Sequence, residues 1–540
     1  MSGSAGSTRA ERARMPLARS VLRQVAEEHG VCVRPVAVRR TDIVTGRTET
    51  VDIPCGATRA SLCPSCAQRK RRLRAAQCRE GWHLTEEPVL EPDPATDAQQ
   101  YLTELRADLT KAQASATSEE ADELASLVAE IDTELSDSGV RGSLAPAPAA
   151  RRVRSTRRRQ DSADLPRRPV ENRTLGKAYT TPDGRTFRPS LFLTLTLPSY
   201  GRVRADGTPV DPTTYDYRQA ARDALHFPKL IDRFIQNLRR FVGYDVQYFA
   251  VVEPQRRLAP HLHLALRGTI SRAELRQVVT ATYHQVWWPA TDRPMHTPET
   301  APTWSPEPGT FTDPASGEPL PTWDEALDRL DADPSAEPLH VLRFGPQLDA
   351  QGVLVGSPQA VRCVRYLTKY LTKSVAECHT PAGEAETDHV DRLAAELRYE
   401  PCSPICANWL LYGIQPKNAH AGLRPGACRS RAHKREHLGY AGRRVLVSRK
   451  WSGKTLTDHR AERRAWVLEV LGDTVGRPDP NHYIWEPVRP GDPDMAPLAT
   501  RLLRAVAERV RWRQALDEAL ARAEGPDFPT TAVTPERKAA

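Results

Sequence analysis

The sequence predicts an α+β protein with a central antiparallel sheet flanked by helices. A cysteine-rich module precedes that sheet, and a basic, then helical, region follows it. Three observations carry this reading. Residues 187–290 run strand, helix, strand, strand, helix, which suits an antiparallel sheet better than alternating βαβ units. Proline is 46 of 540 residues, above the usual ~5%, so long linkers or insertions are expected. Charge is segregated: 77 basic and 68 acidic residues leave only +9, but they lie in opposed blocks. No stretch approaches the ~18–20 apolar residues of a membrane span, and residues 1–20 lack the apolar run of a signal peptide. A soluble, cytoplasmic protein with no membrane partner is expected. Its ten cysteines then read as ligands or free thiols.

The elements follow in chain order. Residues 1–30 form a tail with a short helix. Residues 31–90 form a module with strand-like runs at VCVRPVAV and ETVDIP. Cys63-Pro-Ser-Cys66 has the tight turn of a thiolate pair on tetrahedral zinc. Cys32 and Cys55, each beside a strand-like run, are the expected partners, with Cys78 and His83 as competing ligands. A redox pair is the rival, but no thioredoxin-like βαβ pattern surrounds it. Seven basic and no acidic residues lie between Arg59 and Arg79. Arg71 and Arg72 there are expected on a DNA-contacting helix.

Residues 91–180 form an acidic helical arm and a basic linker. Thirteen acidic residues stand against two basic ones over 91–140, with helical apolar spacing from Tyr101 to Leu135. Residues 141–177 reverse the sign and have few apolar residues, so they are expected to be disordered. Residues 181–385 form the largest domain. It contains a strand at LFLTLTL, a helix over 228–242, strands at VQYFAVVEP and HLHLALRG, and a helix over 271–288. Eleven prolines and eleven acidic residues over 289–338 mark an insertion outside the core. A strand at LHVLRFG and a helix over 357–377 complete the domain.

Residues 386–460 are basic and carry Cys402, Cys406, Cys428, His433 and His437, with spacings suited to a second zinc site; free thiols are the alternative. From His420 to Arg464 thirteen basic residues stand against three acidic. Arg443, Arg444, Arg449, Lys450 and Lys454, interleaved with Tyr440 and Trp451, read as a nucleic-acid surface with bases stacking on the aromatics. Residues 461–540 are C-terminal helices and tail, with a helix from Leu498 to Ala523.

Two segments carry chemistry. In Pro260-His261-Leu262-His263 the histidines are two apart, so a strand projects both to one face, as two neutral imidazoles sharing a metal require. A solvated histidine pair is the plain alternative. Glu253 ends the preceding strand; if the two strands pair, it adds a carboxylate, and the set suits Mg²⁺ or Mn²⁺. In Tyr366-Leu-Thr-Lys369-Tyr370-Leu-Thr-Lys373, helical periodicity places both tyrosines and both lysines on one face. Val361, Val364, Leu367, Leu371 and Val375 fall on the other. Lys⁺ and a metal-bound phosphate would favour a tyrosinate and the phosphorus it attacks. Attack on a DNA phosphodiester gives a covalent phosphotyrosine.

Three motifs in order, LFLTLTLP (191–198), PHLHLALRG (260–268) and YLTKYLTK (366–373), resemble those of HUH endonucleases. The tandem tyrosines are similar to those of two-tyrosine phage initiators. With the N-terminal cysteines and LGYAGRRVLVSRKWSGKTL (438–456), the chain resembles rolling-circle replication initiators of actinobacterial plasmids and integrative conjugative elements. The resemblance spans 31–83 and 187–460. It implies an HUH fold and site-specific nicking of a double-strand origin. It also implies a 5′-phosphotyrosyl link and a free 3′-OH primer. By motif it makes His261 and His263 metal ligands and Tyr366 and Tyr370 nucleophiles. Double-strand origin DNA, single-stranded DNA, a host helicase and a host DNA polymerase are the implied partners. The histidine pair precedes the tyrosine helix, the order of initiators and related transposases rather than of relaxases. A transposase or recombinase, or a zinc-containing DNA-binding regulator with an inactive site, are the alternatives.

Overall fold

The computed structural model describes residues 16–82, 84–88, 95–137, 140, 162, 164–184, 186–354, 356–369, 371–372, 383–441, 444–470, 482–489, 491–492 and 495–523. The elements begin with α1 (Pro16–Glu28), β1 (Val36–Asp42), β2 (Thr48–Ile53), α2 (Pro64–Trp82), α3 (Asp97–Gln113) and α4 (Ser118–Asp137). The middle of the chain forms β3 (Tyr179–Thr180), β4 (Thr186–Phe187), β5 (Ser190–Thr196), α5 (Tyr217–Val242), β6 (Tyr248–Pro254), β7 (Pro260–Leu266), α6 (Arg272–Ala281) and β8 (Tyr283–Val286). Then come β9 (Thr303–Ser305), β10 (Thr310–Thr312), α7 (Trp323–Ala332), β11 (His340–Arg343), β12 (Leu348–Val353), α8 (Pro358–Thr368) and α9 (Glu384–Tyr399). The last elements are β13 (Val445–Val447), α10 (Leu456–Val470), β14 (Tyr483–Pro487) and α11 (Leu498–Ala523).

The chain divides into two compact units, one of residues 1–88 with 162–540 and one of 89–161. In the second unit α3 and α4 pack on each other as the spacing predicts, and Arg106 clasps Asp132 through two hydrogen bonds of 2.6 and 3.1 Å. Thr96 and Gln99 close a capping box at the start of α3, which satisfies two orphan backbone donors.

The first unit is built on a five-stranded sheet of order β12-β5-β7-β6-β13, antiparallel throughout. Alternation along its strands separates two cores. Leu191, Leu193, Leu195, Leu262, Leu264 and Leu266 face the long helix α5 and bury Phe227, Leu230, Ile231 and Phe234. Phe192, Phe249, Val251 and Ala265 face the other way and are covered by Ala360, Cys363, Val364 and Leu367 of α8 and by Cys78 and Trp82 of α2. The mixed α+β class is as expected. β6 and β7 form a hairpin, which meets the condition for Glu253 to lie beside His261.

Several expectations are corrected. The helix read over 271–288 ends at Ala281, and Tyr283–Val286 pairs with β11 instead. The basic linker was expected to be disordered through residue 177. Yet Leu165 lies in the main core, and Thr174 and Leu175 donate backbone N–H groups to Glu87; residues 141–161 lie outside the described residues. The insertion 289–338 is not a bare loop. Trp323 and Ala326 of α7 pack against Trp409, Leu411 and Tyr412, and the β9–β10 hairpin buries Phe311 on Leu410. Three tryptophans, Trp288, Trp323 and Trp409, meet within 6.1 Å of one another. Acidic and proline-rich composition hid this core because the apolar anchors are few and far apart in sequence.

The chain's two ends also meet. β14 pairs with β1 to make a three-stranded sheet β14-β1-β2. α11 lays Leu502 on Val31, Cys32 and Cys63, and Arg501 is paired with Asp52. The cysteine module and the C-terminal helices, read separately from sequence, share one small core. No helix among the described residues is long and apolar enough to cross a membrane.

Candidate active site

The site is built on β7, the central strand of the sheet. His261 and His263 project from the same face, with ring centroids 4.2 Å apart. His261 sits between Glu253 on β6 and Thr196 on β5; His263 sits between Val251 and Thr194. The face is dry. Burial pushes the His261 imidazole down to about 4, with the Arg257 guanidinium adding to it, and burial pushes His263 down to about 3, with His261 adding to it. Both rings are therefore neutral at physiological pH and keep a nitrogen lone pair.

The nitrogens have different surroundings. His263 Nδ1 lies 3.1 Å from Thr194 Oγ1, and its Nε2 lies 3.2 Å from the Tyr366 hydroxyl. The two hydroxyls seat the ring between them; in a neutral imidazole one of these nitrogens donates and the other accepts. His261 Nε2 is buried with no hydrogen-bond partner. An unpartnered imidazole nitrogen beside a second neutral imidazole suits a divalent cation, and so the residues fit the metal that their pattern implies.

Tyr366 comes from α8. Ser357 caps this helix, Pro358 starts it, and Ala360, Cys363, Val364 and Leu367 bury its inner face. Tyr366 stands on the rim, 42% exposed, packed edge-on against Phe192 and the His263 ring. The apolar face is rotated from the one expected: Val361 is exposed, and the small Ala360 and Cys363 lie inward. The helix ends at Thr368, with Lys369 as its C-cap. Tyr370 and Lys373 lie outside the described residues.

Glu253 is the register partner of His261, but it does not close a compact three-donor group with the two histidines; among the described residues such groups occur elsewhere. Burial pushes its carboxyl up to about 7, against the opposing charges of Arg444 and Lys369. Arg444, expected on a DNA surface, is buried instead. It donates to the Val252 carbonyl at 3.2 Å and lies 3.9 Å from Glu253 Oε1. Sequence reasoning also missed Arg257, which donates to the carbonyls of Leu197 and Pro198 at 2.6 Å and so ties the β6–β7 turn to the end of β5.

The other predicted DNA residues divide. Arg72, Arg449 and Lys454 are exposed, Lys454 in an ion pair of 2.6 Å with Glu462. Lys450 is partly covered beside Asn172 and Asp245. Arg71 points inward and donates to the Thr368 carbonyl at 3.0 Å, at the end of the tyrosine helix. Tyr440 and Trp451, expected to stack on bases, are buried: Trp451 packs on Trp82 and Phe249, and its indole donates to the Gln77 carbonyl. Arg443 and His83 lie outside the described residues.

Both cysteine sets converge. Cys32, Cys55, Cys63 and Cys66 bring their sulfurs within 4.8 Å of one another, with Cys32 and Cys63 at 3.9 Å. A zinc tetrahedron with Zn–S of ~2.3 Å has edges of about 3.8 Å. Cys78 is not a ligand here; it is buried beside Cys363 and Trp82. Cys402, Cys406, Cys428 and His433 converge in the same way. A third group, Glu80, His459 and Glu462, was not foreseen, and Lys454 already pairs with its Glu462.

An antiparallel sheet with a histidine pair beneath a tyrosine helix, and two cysteine clusters in the same unit, is the frame into which the comparisons fit: the chain is a plasmid replication initiator. It belongs to the family described as RepSA, the replication initiator protein of pSAM2, whose model matches residues 18–508. No curated protein and no solved structure matches the chain.

Proposed function

We propose that the chain is a metal-dependent HUH nickase and strand transferase that starts rolling-circle replication at a double-strand origin. The observation that carries this reading is the Tyr366 hydroxyl 3.2 Å from His263 Nε2, beside the unpartnered Nε2 of His261. His261 and His263 would hold Mg²⁺ or Mn²⁺. When bound, that ion supplies Lewis-acid polarisation of the scissile phosphate. Tyr366 loses its phenolic proton, its oxygen bonds to phosphorus, and the P–O3′ bond breaks. The released 3′ oxygen takes a proton and becomes the primer end. The 5′ phosphate stays on Tyr366 as an ester, so rejoining needs no ATP. Tyr370 is the second nucleophile of the two-tyrosine reading. Lys369 and Glu253 are the charged groups that tune the site. Zinc in the Cys32–Cys66 set is structural, and DNA with host helicase and polymerase are the partners.

The test uses purified protein, an origin oligonucleotide and Mn²⁺. A covalent protein–DNA adduct is expected, lost in the Tyr366→Phe/Tyr370→Phe double variant and in His261→Ala. An adduct from the double variant overturns the nucleophile; unchanged nicking by His261→Ala overturns the metal assignment. No adduct at all from the unaltered chain favours the inactive-site regulator. A transposase reading is favoured if transposon-end DNA, rather than a plasmid-like origin, is cleaved.

A further inference from the structure

The lobe formed by the insertion and by residues 400–433 has little regular structure to hold it. Besides α7 and the short β9–β10 ladder it contains only the short 3₁₀ helices Ala407–Tyr412 and Arg431–His433. Its backbone is pinned at a few points. Met295 and His296 donate to the Leu411 carbonyl, Gln415 donates to the Pro321 carbonyl, and the Gln415 side chain accepts from Phe311 and Thr310. A unit this small rarely closes on an apolar core alone, and metal ions are a common staple.

We propose that Cys402, Cys406, Cys428 and His433 bind a tetrahedral zinc ion that fastens this lobe to α9. The four donor atoms lie within 4.8 Å of one another. His433 Nε2 is 3.5 Å from Cys406 Sγ. Bonds of ~2.3 Å to sulfur and ~2.0 Å to nitrogen set a tetrahedral S···N edge of about 3.5 Å. The ring is oriented from behind: His433 Nδ1 donates to the Leu397 carbonyl at 2.6 Å. That bond puts the proton on Nδ1 and turns the Nε2 lone pair toward the sulfurs, the usual outer support of a metal-bound histidine. A disulfide is a poorer use of the set. All three cysteines are free thiols, and joining any two at ~2.05 Å would leave a thiol and the imidazole without a role. Cys406 is fully buried, whereas Cys402, Cys428 and His433 are partly accessible, so an ion can enter.

The consequence reaches the nuclease sheet. Leu397 belongs to α9, which packs on α5. The chain leaving His433 buries Leu438 and Tyr440 in the main core, then delivers Arg444 and β13 to the edge of β6. The ion thus anchors the segment that carries Arg444 to Glu253. This inference does not depend on the nickase reading.

The test is the zinc content of the purified full chain and its variants, with cobalt substitution. Cys428→Ala should lose one metal equivalent relative to the unaltered chain, and Cys63→Ala/Cys66→Ala should lose a different one. His433→Cys should keep its full complement, and its cobalt thiolate charge-transfer band should gain intensity as a fourth sulfur enters. Limited proteolysis of Cys428→Ala should open cuts within 402–433 while the five-stranded sheet survives. Full metal content in Cys428→Ala overturns the proposal, as does an oxidised pair among the three cysteines by mass. If Cys428→Ala does not fold, His433→Cys decides: an unaltered cobalt spectrum overturns it.

Discussion

Thr194 and Tyr366 hold opposite nitrogens of one ring. The Thr194 hydroxyl lies 3.1 Å from His263 Nδ1 and so holds the ring with Nε2 toward Tyr366, 3.2 Å away. Groups that orient a metal-bound histidine are worth 10–100-fold in metal affinity or activity. Thr194→Val keeps the shape of the strand and removes the hydroxyl. It should raise the Mn²⁺ concentration for half-maximal nicking by roughly 10-fold or more, with the unfolding midpoint nearly unchanged. An unaltered Mn²⁺ requirement would show that Thr194 does not orient the ring for the metal. The histidine pair was legible in the sequence because strand alternation is a local rule, and His261 and His263 are two apart. The burial of Arg444 was not. Its partners, Val252 and Glu253, lie about 190 residues earlier, and a run of arginines reads the same whether it meets DNA or a carboxylate.

At the scale of elements, the tyrosine helix is held from outside. Arg71 of α2 donates to the Thr368 carbonyl, and the Ala60 N–H donates to the Thr372 carbonyl. The cysteine module therefore braces the end of the helix nearest the proposed nucleophile. Carbonyls at a helix C-terminus have no partner within the helix, and a guanidinium there also complements the helix dipole. Arg71→Ala should speed amide exchange over 364–368 and cost about 1–2 kcal/mol of local stability. It should leave protection in β5 and β7 unchanged; uniform loss across the sheet would contradict a local brace. The basic run from Arg59 to Arg79 suggested DNA, and Arg72 stays available for it. A helix packed on the sheet must turn one face inward, however, and Arg71 lies on that face. Trp451 shows the same limit. Its bulk presses on Gly81, where a β-carbon would lie 2.2 Å from the indole, a fit that no composition count signals.

At the scale of the whole molecule, buried polar groups set the response to pH and to truncation. Arg222 and Glu400 form a buried ion pair at 2.8 Å, with Thr291 hydrogen-bonded to both. This network joins α5, the start of the insertion and the end of α9. Removing Arg222 strands the buried Glu400 carboxylate, so Arg222→Met should cost roughly 3–5 kcal/mol in urea unfolding, and Glu400→Gln should cost less because Asp292 lies 3.4 Å from Arg222. A cost below about 1 kcal/mol for Arg222→Met would mean the pair is solvated. Burial also holds His226 down to about 3 and His284 down to about 4. Between those values and the ordinary ~6.5, the unfolded chain binds protons that the folded chain refuses. Their contribution is present above pH 6.5 and is lost as pH falls toward 4. Glu253, raised to about 7, acts in the opposite sense, its contribution lost as pH rises toward 7. The histidines outnumber it, so the urea midpoint should fall between pH 7 and pH 5, less steeply in His226→Gln. The α+β class, the helical arm and the grouping of the cysteines were legible from local patterns. The union of β14 with β1, and of the insertion with Trp409, was not, because long-range pairing leaves no local mark.

The central claim is that Tyr366 is the group joined to DNA. Trapping the protein on a 3′-labelled origin strand, digesting it and sequencing the nucleotide-bearing peptide by mass spectrometry tests it most directly. A phosphodiester on Tyr366, with or without a second population on Tyr370, is the predicted result. A linkage to any other residue, or only to Tyr370 when Tyr366 is intact, would contradict it.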